Sequence, residues 1–472
     1  MRRKIVLEEV ELLEVAAEGK SLAKVDDRVV FVKGGAPGDI VDIRVTNKRK
    51  SFYEGVILKY HKKSDLRIPS FCSHFETCGG CKWQHLPYDY QLEFKQKQVV
   101  DNFERLGKFP IPEATAILGS AETTYYRNKL EYSFSDSRWL TKEEIDSGAE
   151  FDRNALGFHI PGRFDKILEI EHCHLQPEPS NEIRNWIRIY AKNNDLSFYN
   201  IRDNNGLLRN VVIRTSTTGQ VMVVLQVGDD KPELFKPLLA ALDEHFKITS
   251  LNYVVNLKKN DTFSDLEVIN FSGKTYIEEK MKKPDADDSL TFRIGPKSFY
   301  QTNSKQAERL YYHAFKAAAI LKDEVVYDLY TGTGTIANYI ASNAQKVIGL
   351  EYVPEAIEDA KINSEINNIV NTSFFAGDMK DILNEDFIEK NGNPDVIITD
   401  PPRAGMHGDV IKTILFAAPE RIVYVSCNPA TQARDISLLS EAYEVIDFQP
   451  VDMFPHTHHV ENIALLKRKE NA

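Results

Sequence analysis

"VVYDLYTGTGTIANYIA", residues 325–341, runs from an apolar stretch through a glycine turn into a helical pattern. A short, wholly apolar run bounded by a turn reads as a buried strand. Gly332 and Gly334 let the backbone pass close to a ligand, and the helix that follows offers unpaired N–H groups. The third glycine of a dinucleotide fingerprint is missing, and no lysine follows as in a P-loop. Around this stretch the pattern alternates. Strands are expected near 325–330, 346–350, 395–399 and 421–426, with helices near 304–320, 335–342, 354–367 and 408–416. Such alternation implies a mostly parallel sheet covered on both faces, with its ligand beyond the carboxyl ends of the strands.

Acids stand at those ends. Glu351 closes "KVIGLE", 19 residues after Gly332, where it can accept bonds from two ribose hydroxyls. Asp378 in "FFAGDMKD" is placed for an adenine edge, and Asp400 in "DVIITDPPRAG" ends a further strand. One such acid alone reads as a helix cap or a loop charge; the series reads as a site. The two prolines after Asp400 fix the backbone there. This set resembles the class I S-adenosylmethionine-dependent methyltransferases, in which an Asp-Pro-Pro-[Arg/Tyr] motif sits beside the methyl group.

"VYVSCNPATQARD", residues 423–435, puts Cys427 at the end of the next strand. By itself it reads as a small buried hydrophobe. Beside a methyl donor it reads as a nucleophile, and the chemistry closes if the acceptor is uracil C5. That carbon is too weak to attack a sulfonium methyl. A thiolate added at C6 makes C5 carbanion-like, so one hard step becomes several easier ones. A base must then remove the C5 proton. Glu461, opening the strand "NIALL", can do so. His456, His458 and His459 crowd the same loop, but no further ligand at a familiar spacing joins them as a metal site. They read as loop-orienting or RNA-contacting residues.

"DLYTGTG", "DPPRAG", "YVSCNPATQARD" and "HHVENIALL" occur in the order and spacing of the RNA uridine-5-methyltransferases of the RumA/TrmA type, and "SFYQTN" matches that family's Phe-x-Gln motif. The resemblance covers nearly the whole chain; it is strongest after residue 290 and weakest over 135–290. It implies that Cys427 is the nucleophile and Glu461 the proton-abstracting base. Gln301, Tyr330, Thr335, Glu351, Asp378 and Asp400 match cofactor-contacting positions. Thr335 and Asp378 stand where many members carry Asn. Phe299 and Gln301 are candidates to contact a flipped-out uracil, and Arg403 to hold the RNA or the active-site loop.

The first 60 or so residues read as short strands punctuated by glycine and proline, a small OB-type barrel. The resemblance implies the TRAM domain there. From Val41 to Ser70, eight Lys and Arg oppose three acids, with Phe52, Tyr53 and Tyr60 among them. That mixture suits a phosphate backbone and stacked bases, despite a net charge of −11. "CSHFETCGGCKWQH" carries Cys72, Cys78 and Cys81, and Cys173 is the remaining candidate for a fourth ligand. Physics permits zinc or an iron–sulfur cluster; the resemblance points to a [4Fe–4S] cluster. Residues 138–157 read as an insertion lengthening the gap before Cys173. The segment "YDYQLEFKQKQVVDNFERLGKF" shows helical periodicity, with Leu92, Val99, Phe103 and Leu106 on one face.

The chain is therefore expected to be a multi-domain α/β protein. Residues 1–62 form the barrel. Residues 63–83 and 120–288 form a central α+β domain with the cysteine cluster. Residues 84–119 and 289–472 form a Rossmann-like methyltransferase domain, and "EEKMKKPDADDSL" reads as a boundary loop. No stretch is apolar enough to span a bilayer, and the basic start has no apolar run behind it, so a cytoplasmic monomer is expected. The expected activity is S-adenosylmethionine-dependent 5-methylation of uridine, with 23S ribosomal RNA favoured because barrel and cluster together are typical of rRNA-acting members. A tRNA uridine methyltransferase is the alternative. An RNA-binding protein with an inactive methyltransferase domain conflicts with the presence of Cys427, Glu461 and Asp400. Amino-methylation of another base has no need of Cys427.

Overall fold

The computed structural model describes residues 5–470, so the basic start Met1–Lys4 lies outside the described residues. The chain divides into two compact units, Thr124–Thr399 and Met1–Thr123 with Asp400–Ala472.

In the unit 124–399, four strands run parallel in the order Thr372–Ala376, Lys346–Glu351, Val325–Leu329 and Val396–Thr399. Val326, Leu329, Val347, Ile348, Leu350 and Ile398 have no exposed surface. Continuous apolar strands of this kind are what a sheet buried on both faces requires. The helices Ser304–Ala318, Thr335–Ile340 and Pro354–Ile366 lie where the periodicity places them. A second sheet has seven strands in the order Ile269–Gly273, Ser250–Val255, Val221–Val227, Leu208–Thr215, Lys129–Ser135, Ala155–Ile160 and Arg163–Glu169. Ile183 and Ile187 of helix Ser180–Asn193, and Leu238, Leu239 and Leu242 of helix Pro232–His245, share a core with its strands. The α+β reading of this region holds. The expected boundary loop does not: Ile277–Lys282 and Ser289–Ile294 form an antiparallel hairpin. Ile277, Glu279 and Met281 are buried in alternation, and the Glu279 carboxylate takes hydrogen bonds from Thr217 and Ser304. A buried acid broke the apolar alternation that would have announced the strand.

In the other unit, six strands between Val6 and Lys62 form one sheet around Val10, Leu12, Ala23, Val30, Val32, Val41, Ile43 and Tyr53. Tyr53 is thus a core residue, with Arg28 and Lys48 over its ring at 5.3 and 5.6 Å, and it offers no free face to a base. Asp39, fully buried, ties the sheet to the segment after it. It accepts from Ala36 N (2.7 Å), Ser64 N (2.8 Å) and the Arg67 guanidinium (2.9 and 2.6 Å). Burial would raise its pKa, but the bonds from Arg67, Ser64 and Ala36 outweigh burial and hold it below the usual range. Helix Tyr88–Asn102 buries Gln91, Lys95 and Val99, followed by Phe103, whereas Leu106 is exposed. Two polar residues therefore occupy the face expected to be apolar. Strands Arg421–Ser426, Glu461–Arg468 and Tyr443–Val451 pair antiparallel in that order. No helix among the described residues is long and apolar enough to cross a membrane.

Candidate active site

The glycine turn follows strand Val325–Leu329. Tyr330, Gly332 and Gly334 all have positive φ (64°, 56° and 74°). A Cβ on Gly334 would lie 2.8 Å from Ala360 Cβ, so close packing of helix Pro354–Ile366 demands glycine there. Buried Asp328 accepts from Thr331 Oγ1 and from Ala337 N at 3.0 Å, joining strand, turn and helix start. Glu351 lies across the turn, accepting from Gly332 N (3.1 Å) and Val353 N (3.0 Å). Its backbone oxygen accepts from Gly377 N at 2.9 Å, which brings the Asp378 loop alongside. Asp378 caps the short helix Met379–Ile382 through Lys380 N (3.3 Å) and pairs with Lys380 Nζ (3.1 Å). Thr335 is buried, 3.3 Å from Thr333 Oγ1. Thr333 Oγ1 also donates to Phe299 O at 3.4 Å. One rim of the unit 124–399 thus gathers Phe299, Gln301, Tyr330, Thr335, Glu351 and Asp378. Phe299 is 67% exposed there, unusual for so large an apolar ring.

Asp400, Arg403, Cys427 and Glu461 lie in the other unit. Arg403 O accepts from Asn428 Nδ2 (3.0 Å) and Thr431 Oγ1 (3.2 Å), so the turn after the prolines is fastened to the turn carrying Cys427. Asn428 also caps helix Pro429–Leu439 through Ala430 N. Gly405 has φ 78°, and a Cβ there would meet Asp435 Oδ2 at 2.5 Å. Asp435, fully buried, takes bonds from Met406 N (2.8 Å) and Tyr424 Oη (2.7 Å).

Three acids meet at this turn. Cys427 is half-buried; burial, then the Glu461 and Asp400 carboxylates, push its thiol up to about 12, opposed by Arg403. Glu461 is 4% exposed, and no donor among the described residues hydrogen-bonds its carboxylate. Burial, then Asp400, push it up to about 8, again opposed by Arg403. Burial pushes Asp400 up to about 7. Carboxyls near neutrality beside a thiol suit proton transfer. The guanidinium that tempers them donates to His459 Nδ1 at 3.2 Å.

Of the other two loop histidines, His456 ties the loop to its surroundings and His458 is half-buried. Burial holds His456 and His458 down to about 4, hence neutral. His456 O accepts from Lys82 N and Trp83 N, and its ring Nδ1 accepts from Gln91 Nε2. The same loop is held by residues not anticipated as part of the site. Lys95 Nζ donates to Asp452 Oδ1 at 2.6 Å, with neither side chain exposed, and to Phe454 O at 3.0 Å. Tyr88 Oη donates to Asp452 Oδ2 at 2.8 Å.

Cys72, Cys78 and Cys81 are half-buried and Cys173 is buried. Among the described residues, no three or more His, Cys, Asp or Glu are grouped to hold a metal ion. The expected [4Fe–4S] centre on these cysteines is not supported.

Residues 242–469 match the family described as tRNA (Uracil-5-)-methyltransferase, and residues 7–58 match the TRAM domain. An uncharacterised RNA methyltransferase of Bacteroides thetaiotaomicron is 56% identical, over 96% of this chain and all of that one. The chain belongs to the RNA uracil-5-methyltransferase family. A second member, an uncharacterised RNA methyltransferase of Porphyromonas gingivalis, is 54% identical over 97% of this chain and 99% of its own. Among solved structures, the Pyrococcus abyssi tRNA (uracil-54, C5)-methyltransferase in complex with S-adenosyl-L-homocysteine is similar at TM-score 0.73 and 29% identity. It covers 97% of this chain and 100% of its own. For a chain of this family, the α/β fold with an N-terminal TRAM domain is the expected architecture.

Proposed function

We propose that the protein methylates C5 of uracil in RNA, with Cys427 as nucleophile and Glu461 as base. The observation carrying this reading is the buried Glu461 carboxyl, without a hydrogen-bond donor among the described residues and electrostatically coupled to Cys427. S-adenosylmethionine, when bound, supplies an electrophilic methyl group. Gln301, Tyr330, Thr335, Glu351, Asp378 and Asp400 are proposed to hold it, Glu351 through the ribose hydroxyls. Phe299 and Gln301 face the uracil, which must leave its stack to reach the thiolate, and Arg403 steadies the RNA or the loop.

The Cys427 thiolate adds to C6, and the electron pair of the C5–C6 bond moves toward C5 and O4. Once C5 carries its methyl group, Glu461 takes the C5 proton. The C6–S bond then breaks, returning the electron pair to sulfur and the thiolate to the enzyme. Glu461 passes the proton to solvent. A base near 8 is matched to this task. In the free protein, burial and the Glu461 and Asp400 carboxylates disfavour the thiolate, opposed by Arg403.

Barrel plus cluster is the argument for 23S rRNA. The archaeal tRNA enzyme overlaps 97% of this chain, so a barrel does not discriminate between RNA classes, and the cluster lacks support. A tRNA uridine is therefore an equal reading. Methyl transfer from labelled S-adenosylmethionine to unmodified rRNA and tRNA, assayed separately with nucleoside analysis, tests both. 5-Methyluridine in one of them is expected; another methylated nucleoside, or none, overturns the reading.

A further inference from the structure

The stretch Gly295–Asn303, which carries Phe299 and Gln301, has little regular structure of its own. An exposed aromatic there would wander unless the backbone were held. Its carbonyls are held one by one. Asn128 donates from Nδ2 to Gln301 O at 2.9 Å and from its backbone N to Thr302 O at 2.7 Å. Ser298 Oγ accepts from Gly295 N at 2.8 Å and donates to Asp359 Oδ2 at 2.5 Å. The centre of this arrangement is Arg214, in strand Leu208–Thr215. It donates from Nη2 to Ser298 O at 3.0 Å and from Nη1 to Gly295 O at 3.4 Å.

Arg214 is 4% exposed, and no carboxylate among the described residues pairs with it. Burial pulls its guanidinium down to about 10, so it is charged at neutral pH. A buried charge without a counter-ion is costly, and an apolar side chain would serve the strand at lower cost. What a guanidinium supplies instead is a rigid planar fork spanning two carbonyls. That rigidity is useful only if the carbonyls' loop must be held still. The exposed ring of Phe299 immediately follows Ser298.

We propose that Arg214 is a positioning residue for the substrate-facing loop: its buried fork fixes Gly295 and Ser298, and thereby aims Phe299 and Gln301. This rests on the proposed function, in which those two residues meet the uracil. It assigns Arg214 no contact with RNA or cofactor.

The test uses the full chain with S-adenosylmethionine and unmodified rRNA and tRNA. Arg214→Met is expected to lower kcat/KM for the accepting RNA about 10- to 100-fold, the range that misplacement of a reacting pair produces. Arg214→Lys, which keeps the charge and one donor, is expected to lose less. In a Phe299→Ala/Gln301→Ala background, Arg214→Met should add almost nothing, because both side chains that it aims are already gone; a merely structural residue would add its full effect. Rates within about twofold of wild type, or effects that multiply in the combined variant, overturn the proposal. If Arg214→Met does not fold, Ser298→Ala removes a brace of the same loop and is read in the Phe299→Ala/Gln301→Ala background in the same way. Cys427→Ala separates the two layers. An active Cys427→Ala sinks the proposed function; an inactive one beside a wild-type-like Arg214→Met sinks only this inference.

Discussion

Replacing Lys95 by methionine removes one half of an ion pair that has no access to water. Lys95 Nζ lies 2.6 Å from Asp452 Oδ1, and neither side chain has exposed surface. Burial pulls the ammonium below its ordinary range, and the Asp452 carboxylate pushes back. In Lys95→Met the carboxylate keeps two donors, Tyr88 Oη at 2.8 Å and Phe454 N at 2.9 Å, but loses its cation. Breaking a buried pair in this way costs about 3–5 kcal/mol. Phe454 O also loses its bond from Nζ. A domain of this size shifts its melting point by about 2–4 °C per kcal/mol, so a fall of about 6–20 °C is expected. Trp83, whose ring centroid is 5.9 Å from Nζ, reports the transition by fluorescence in urea or on heating. The decisive control is Lys95→Met/Asp452→Asn. An asparagine leaves no unpaired charge: its Oδ1 can accept from Phe454 N and its Nδ2 can donate to Tyr88 Oη, so most of the loss should return. Because the same loop leads to Glu461, Lys95→Met should also slow methyl transfer. A loss below about 1 kcal/mol, or a double variant as unstable as the single, would refute the reasoning.

Further outcomes are expected. The Glu461 carboxyl, at about 8 in the folded chain, lies above its ordinary value of 4.5, so the folded state binds the extra proton between these limits. Stability from this group is full below pH 4.5 and lost as pH rises through 8. Glu461→Gln should therefore gain on wild type between pH 5 and pH 8, by on the order of a few kcal/mol in urea unfolding; a constant difference would contradict the assignment. Gly334→Ala should weaken S-adenosylmethionine binding more than Gly332→Ala in calorimetry. Both positions have positive φ, but only at 334 does the new methyl meet a neighbour, Ala360 Cβ at 2.8 Å. Equal losses would mean that backbone conformation alone matters. Arg403→Gln should move the pH–rate profile toward higher pH, because Arg403 lowers the pKa of both Cys427 and Glu461. An unmoved profile would remove Arg403 from the electrostatics of the site.

The catalytic fold was legible because its strands are apolar end to end and its glycine turn is unmistakable: "VVYDL" and "VIIT" are strands as read. Glu351 was legible as an acid at a strand end, but its bond to Gly332 N was not. Where polar residues are buried against partners distant in sequence, pattern reading fails. Gln91 and Lys95 share a buried helix face because Asp452 and His456 lie opposite, more than 350 residues later. Glu279 hides a strand for the same reason, and Arg214 interrupts an apolar strand to brace a loop some 80 residues away. Tyr53 looked like a stacking platform because basic residues surround it; they do so as cations over a buried ring. The cysteine spacing suggests a metal centre, and among the described residues no group of three or more His, Cys, Asp or Glu supports it.

The central claim is that Cys427 and Glu461 act in sequence on one uracil. Mass spectrometry of the protein after incubation with S-adenosylmethionine and the accepting RNA tests it most directly. Wild type should turn over without lasting attachment. Glu461→Gln should accumulate a covalent protein–RNA species whose uracil already carries the methyl group, linked at Cys427, and Cys427→Ala should form none. Full turnover by Glu461→Gln, or an adduct that survives Cys427→Ala, would contradict the account.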